Sequence, residues 1–371
     1  MLQDDYKPYL RDGVDAYIDD QRLIVTFVFL STRQRLQVKA EKWLIQMLPL
    51  FDGKNSVAEL SHELAEAQKD KLRAFLGYLK DKGLLVDSEW LTYLRFDAQY
   101  TGSLQRQLNF MLDILGSPES VSEAQKTIQS AQVAVFGLGA VGSALLLELL
   151  QMGFQNLVLI DSKDLRPDSS DRHTLPLPID LDSETRTFKV DYFGKCAIAF
   201  NPNARVRKEK VKLTTDTDLD TLLHGVSFII NFADEPYIGY TSLRLSRYCV
   251  KNDIPMIVGG GFDAHLASMG ELIIPKLTPC SDCYNNYFQE SLKDWKPIKH
   301  VVKDRSKGIG GLKAMSQFAA SSVALKVFKY FINTSQEVIG KGGRGEFKFQ
   351  DYSIDHFSVE RDVNCAVCGD R

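Results

Sequence analysis

Several things are scarce in this chain, and each absence excludes something. No apolar run is long enough to cross a bilayer. The longest, LIVTFVFL (23–30) and ALLLELLQMGF (144–154), fall well short of the ~20 residues a helical span needs. No charge of one sign dominates: 45 Lys and Arg face 48 Asp and Glu, for a net charge of −3. That balance offers no electrostatic footprint for nucleic acid. The opening MLQDDYKPYLRDG has neither a basic start nor an apolar core, so it does not read as a signal peptide, and a cytoplasmic location is expected. There is no internal repeat and no low-complexity tract. Cysteine is sparse, with six residues, and four of them sit in two C-x-x-C pairs: PCSDC (Cys280, Cys283) and NCAVC (Cys365, Cys368). Cys196 and Cys249 stand alone in apolar helical runs and read as core residues.

The length of 371 residues exceeds what one compact core usually holds, so two domains are expected. Residues 14–38 read as extended, with the polar cluster STRQR breaking IVTFVFL from LQV. The period then changes. Leu44, Met47, Leu48 and Phe51 form one helical stripe, ended by Asp52-Gly53. Ser56 and Glu59 form a capping box for a second helix running through Leu60 and Leu64. Leu72, Phe75, Leu76 and Leu79 mark a third, with Gly83 as its cap. Strands followed by three short helices suggest a winged helix, which usually points to DNA. From Lys39 to Glu89, however, eight Lys and Arg face nine Asp and Glu, so no basic stripe exists. TYLRFDAQYTGS (92–103) reads as a linker.

The second half carries the chemistry. AQVAVF is a short buried strand, Gly137, Gly139 and Gly142 follow at once, and SALLLELLQMG is a helix. In that context the first glycine permits a tight turn, the second admits a ligand to the backbone, and the third lets helix and strand pack. NLVLID ends at Asp161, about 20 residues beyond the motif, where a carboxylate can accept hydrogen bonds from a ribose. These features suit NAD, FAD, S-adenosylmethionine and ATP alike. Further on, Arg172 lies on a loop, Lys189 on a helix, and Asp234 just past the strand VSFIINF. One carboxylate beside an Arg and a Lys suits Mg²⁺ and a triphosphate. A dehydrogenase would want a proton donor such as histidine, and the six histidines show no such placement. The same residues also have plain readings as surface charges and strand-end turn formers. The two C-x-x-C knuckles supply four thiolates, enough for a closed, structural Zn²⁺ site that clips the C-terminal tail back onto the segment after GELIIP. Redox cysteines or chance pairs are the alternatives.

Two resemblances follow from these residues. WLIQMLPLFDGKNSVAELSHELAE…LRAFLGYLKDKGLLVD resembles the PqqD-like leader-recognition domains. In those, a substrate leader peptide adds as a strand to a small sheet. A small packing domain with no ligand is the alternative. GLGAVG, LIDSKDLRPDSSDRHTL, Lys189, FNPN, NFADE, PCSDC and CAVCG occur in the order of the ubiquitin-activating-type (ThiF/MoeB-like) adenylyltransferases. LQRQLNFM (104–111) is similar to that family's R-Q element. The resemblance covers about residues 100–371. It implies that Arg106 reaches into a partner subunit's site, Asp161 contacts ribose, and Arg172 binds ATP phosphate. It further implies that Lys189 stabilises the reacting phosphate and that Asp234 holds Mg²⁺. The segment 284–311 resembles the family's crossover loop. The chain departs from the pattern at Lys163 (an acid in the family), Ser169 (asparagine) and His173 (glutamine).

The expectation is therefore an α/β protein: a Rossmann-like ATP-binding adenylation domain with a mixed sheet over residues 96–371 and a Cys₄ zinc site, plus a winged-helix, PqqD-like α+β domain over residues 1–95. The resemblance implies an enzyme that adenylates a carboxylate of a ribosomally made precursor peptide, followed by cyclisation with loss of water. It implies ATP, Mg²⁺ and structural Zn²⁺ as cofactors and a homodimer as the assembly, with no nucleic-acid or membrane partner. Two other functions stand beside it: a non-catalytic subunit that delivers leader peptides to a separate cyclodehydratase, and an NAD-dependent oxidoreductase.

Overall fold

The structure is a computed structural model that describes residues 2–88, 98–166, 170–175, 177, 186–260, 262–263, 265–295, 310–332 and 343–369. The chain divides into two compact units, Met1–Ala124 and Gln125–Arg371.

In the first unit, β1 (Pro8–Leu10) precedes β2 (Val14–Asp19), β3 (Ile24–Phe29) and β4 (Arg35–Lys39). Strands β2, β3 and β4 form an antiparallel meander. Val25 and Phe27 of its central strand are fully buried, as the period-2 pattern of IVTFVFL requires. The apolar stripe forms the helix Lys42–Met47 and runs on into a 3₁₀ turn, Leu48–Leu50. The capping box is complete: the Ser56 hydroxyl accepts from the Glu59 amide at 3.2 Å, and the Glu59 carboxylate accepts from the Ser56 amide at 2.7 Å. The helix it opens ends earlier than expected, at Ser61; Leu64 packs against the core from outside it. Helix Glu66–Asp81 buries Leu72, Phe75, Leu76 and Leu79. Gly83 then turns the chain at a φ of 68°, a conformation that side chains disfavour.

Two long-range ties complete this unit, and no local periodicity could announce them. β5 (Leu85–Asp87) pairs antiparallel with β1. Arg11 is buried and donates to the Gly83 carbonyl at 2.9 Å while pairing with Asp113. A buried guanidinium needs such partners, and Asp113 lies on the helix Ala98–Leu115. This helix therefore belongs to the same compact body as the small sheet.

The second unit is built on a six-stranded sheet. Its parallel strands are β6 (Gln132–Phe136), β7 (Asn156–Ile160), β8 (Arg205–Glu209), β9 (Phe228–Asn231) and β10 (Met256–Val258). A second sheet of β11 (Phe262–Asp263), β12 (Leu266–Ser268), β14 (Gly343–Lys348) and β15 (Ile354–Ser358) is antiparallel. The first sheet takes the order β13-β10-β9-β6-β7-β8, with β13 (Glu271–Ile273) as an antiparallel edge. This is the mixed sheet the sequence predicts. β6, β7 and β9 are buried at nearly every position, as strands covered on both faces must be. The helix Lys313–Phe331 packs on Ala140–Gln151, where Gln317 and Ser321 both donate to Glu148 at 2.6 and 2.5 Å. β6 lies between β7 and β9, so the chain leaves it in opposite directions on its two sides. Open sheets bind ligands in the crevice beyond the carboxyl end of such a strand. Among the described residues, no helix is long and apolar enough to cross a membrane.

Removing the capping hydroxyl with Ser56→Ala is expected to lower the stability of the first unit by about 1 kcal/mol, measured as a shift in its urea unfolding midpoint.

Candidate functional site

The glycine turn occupies that crevice. Gly137 has a φ of 84°, and a side chain there would meet the Phe232 backbone at 2.8 Å. A Cβ on Gly142 would lie 2.0 Å from the Gly137 carbonyl oxygen, so the helix can approach the turn only through glycine. Gly139 is different: its Cβ position faces open space. It caps the helix Ala140–Gln151, where free amides favour an anion. The three glycines thus differ in what surrounds them: Gly137 and Gly142 leave no room for a side chain, and Gly139 does.

Asp161 holds this turn in place. One carboxylate oxygen accepts from the Leu138 amide at 2.7 Å, inside the glycine turn. The other accepts from the Lys163 amide at 2.8 Å. The Lys163 carbonyl in turn accepts from the Lys189 amide at 3.0 Å. Lys189 is the first residue of the helix Lys189–Phe200 and is only 6% exposed. Its ammonium lies 4.0 Å from Asp161. Burial pushes its pKa below the usual lysine value, while Asp161 works against that shift. A buried cation held near one carboxylate retains attraction for a second anion.

Asp234 follows β9 by three residues. Its position is set by Asn231, a polar group at the end of an apolar strand, fully buried. The Asn231 side chain donates to Thr241 and Ser242, both at 3.1 Å, and accepts from the Ala233 amide at 3.0 Å. Thr241 closes the loop by donating to the Ala233 carbonyl. Sequence reasoning did not single out Asn231. The signal was present in the run FIIN, where an amide ends an otherwise apolar strand and so must find partners.

Two cavities meet at this place. The smaller, about 290 Å³, is lined by Gly137, Asp161, Lys189, Val211 and Leu213 among others. The larger, about 1200 Å³, runs past the helix Ala140–Gln151 to Leu266, Tyr284 and Arg344 on the second sheet and the helix Ser281–Ser291. Gly139, Arg166, Arg172 and Asp234 line both. Arg166 was not foreseen. Lys163, which replaces an acid of the family pattern, pairs with Glu235 at 2.5 Å, and Lys212 reaches the same carboxylate at 3.3 Å. The loops after β7, β8 and β9 are thereby joined at the rim of the smaller cavity.

Asp161, Arg172, Lys189 and Asp234 are thus brought together with the glycine turn. Arg106 is an exposed residue of the helix Ala98–Leu115, in the first unit. The segment expected as a loop over 284–311 starts as a helix through Ser291; residues 296–309 lie outside the described residues, as does Ser169. Gly310 and Gly311 line the larger cavity.

The four paired cysteines converge. Cys280–Cys283, Cys280–Cys365 and Cys283–Cys368 sulfurs are 3.8, 3.7 and 3.5 Å apart, and all four lie within 4.8 Å of one another, buried. Disulfide sulfurs would be about 2.05 Å apart. Zn–S bonds of about 2.3 Å in a tetrahedron place sulfurs about 3.8 Å apart. The cluster is consistent with zinc. Burial pushes the Cys280 and Cys283 thiols up. Cys249 is buried in the core, as expected.

The model of the ThiF family matches residues 104–367, which carry the turn, the strand-end residues and all but one of the four sulfurs. The chain belongs to the ThiF family. Protein HesA of Nostoc sp. is 28% identical over 255 residues, 68% of this chain and 90% of its own length. The molybdopterin-synthase adenylyltransferase of Salmonella typhimurium is 23% identical over 253 residues, 67% of this chain and 90% of its own. Among solved structures, E. coli MccB with ATP superposes with a TM-score of 0.65 at 18% identity, covering 98% of this chain and 99% of that one. PaaA superposes with a TM-score of 0.62 at 20% identity, covering 81% and 95%. Another MccB structure, described as the microcin C7 biosynthetic enzyme, holds N-formylated MccA. Family membership and fold support ATP-dependent adenylation as the chemistry of this chain.

Metal analysis of the purified protein is expected to find one zinc per chain. Cys365→Ser should lose most of it and melt at a lower temperature; a metal-free chain of unchanged stability would refute the four-thiolate site.

Proposed function

We propose that this enzyme adenylates a carboxylate of a ribosomally made precursor peptide, and that the activated acyl group is then captured within the peptide by cyclisation. The observation that carries this reading is the shared wall of the two cavities. A pocket against the glycine turn has the size and lining for a nucleotide. A larger one opens from the same arginines and the same aspartate, with room for a peptide chain. Chemistry that joins an acyl group to a nucleotide needs such a junction.

In this reading adenosine lies in the smaller cavity, its ribose beside Asp161, whose oxygens have lone pairs left after binding two amides. Gly139 and the amides beginning the following helix face the phosphates. Arg172 binds phosphate and Lys189 neutralises charge growing on the reacting one. A single carboxylate, Asp234, suits Mg²⁺, which prefers a few protein ligands together with phosphate oxygens and water. When bound there, Mg²⁺ would supply charge neutralisation between the phosphates. The peptide carboxylate oxygen attacks the α-phosphorus, the bond to the bridging oxygen breaks, and pyrophosphate leaves with the electron pair. A main-chain amide nitrogen of the same peptide next attacks the acyl carbon and loses its proton, and AMP departs. The net change in the peptide is loss of one water. The protein contributes position and electrostatics.

The first unit, with its exposed β4 edge pattern, serves in this reading as the PqqD-like leader-recognition domain, the leader adding as an extra strand. Arg106 completes the site of the other protomer in a homodimer. MccB, solved both with ATP and with MccA, is a relative in fold for which nucleotide and peptide are the bound partners.

ATP–pyrophosphate exchange that depends on the peptide encoded beside the gene tests the reading; NAD-linked hydride transfer with no exchange would reverse it. Asp234→Ala and Arg106→Ala should each lose ~2–4 kcal/mol of transition-state stabilisation, the scale of one preorganised partner. Mixing the two inactive variants should restore part of the exchange. No restoration would place Arg106 outside the partner's site.

A further inference from the structure

His173 stands where the family pattern has glutamine, directly after Arg172. It is 1% exposed, although its neighbour Arg172 is an exposed cavity-lining residue. Its ring reaches two different elements. Nδ1 lies 2.9 Å from the Ser143 hydroxyl, one residue beyond the third glycine of the turn. The ring stacks on Phe193, with centroids 5.4 Å apart and planes at 28°. Phe193 is one helical turn beyond Lys189 on the same helix. Ser143 also donates to the Ala140 carbonyl at 3.3 Å. The His173–Ser143 hydrogen bond takes its direction from the imidazole tautomer. Nε2 is buried and has no partner among the described residues.

We infer that His173 is a positioning residue for phosphate binding: it pins the loop bearing Arg172 to the glycine-turn helix and to the Lys189 helix at once. The inference rests on the ATP reading above. An exposed arginine on a loop must give up backbone freedom to hold a phosphate. A buried ring in the adjacent residue removes that freedom beforehand. The imidazole suits the task because it remains neutral. Burial, with Lys189, Arg172 and Lys313 nearby, pushes its pKa down to about 4, so the anchor adds no third cation to repel Arg172 and Lys189. Glutamine, the family's residue here, shares neutrality and the ability both to donate and to accept.

The inference predicts a loss confined to phosphates. Titration calorimetry of the full chain compares MgATP with adenosine, which has the base and ribose but no phosphate. His173→Ala should weaken MgATP by about tenfold or more, the scale of one hydrogen bond to a charged ligand's anchor, and leave adenosine within about twofold. His173→Gln should recover most of the MgATP affinity. Ser143→Ala removes the Nδ1 partner and keeps the imidazole, and it should show the same phosphate-selective loss, which keeps the test valid should His173→Ala fail to fold. Equal losses for both ligands would mark a merely structural residue and overturn the inference. So would unchanged MgATP binding, or a glutamine variant as weak as alanine. Wild-type protein that binds neither ligand would overturn the ATP reading itself, and this inference with it.

Discussion

The carboxylate of Asp161 is the pin on which this site turns. It accepts from Leu138 within the glycine turn and from Lys163 in the loop beyond β7. That loop holds the first amide of the helix that begins at Lys189. One nearly buried anion therefore fixes the turn, the loop and the buried ammonium together. Charge-assisted hydrogen bonds to amides are among the stronger polar contacts available to a protein. Each such contact also lowers the freedom the site must give up when a ligand arrives. Asn231 does the corresponding work on the other side of the crevice, holding the segment that leads to Asp234.

The electrostatic character of the site follows from this arrangement. Lys189 is held away from water, and its nearest carboxylate stands 4.0 Å off and is itself shared by two amides. Its charge is thus only partly answered among the described residues. Arg166 and Arg172 stand at the boundary of both cavities. At the rim, Lys163 and Lys212 are already engaged by Glu235, so the cations there neutralise a protein carboxylate, while the buried Lys189 borders the smaller cavity.

How much of this could be read beforehand depended on whether the cause was local. The capping box at Ser56, the stripe of Leu72 to Leu79 and the strand–turn–helix around Gly137 each follow from a few neighbouring residues, and each is where its pattern puts it. The four cysteines were legible for another reason: their chemistry leaves few alternatives, however far apart in the chain they lie. Non-local causes were hidden. Nothing within 8–10 announces its partner at 85–87, and Arg11 gives no sign of Asp113. The segment from Tyr284 was read as loop because it is polar and aromatic, but a helix starts immediately after Cys280, whose sulfur belongs to the four-thiolate cluster. Asn231 and His173 matter through their burial, and burial of a polar residue is a property of the folded neighbourhood.

The cysteine cluster also imposes an order on biosynthesis. Its two knuckles are separated by 85 positions, from Cys280 to Cys365 and from Cys283 to Cys368. The first pair begins the helix that walls the larger cavity, and the last pair leaves the ribosome only after both sheets have been translated. An ion captured by the early pair alone would have half its ligands. Full coordination by the four thiolates thus waits until Cys368 has been made, and a nascent chain halted before Cys368 would emerge with that wall unsecured.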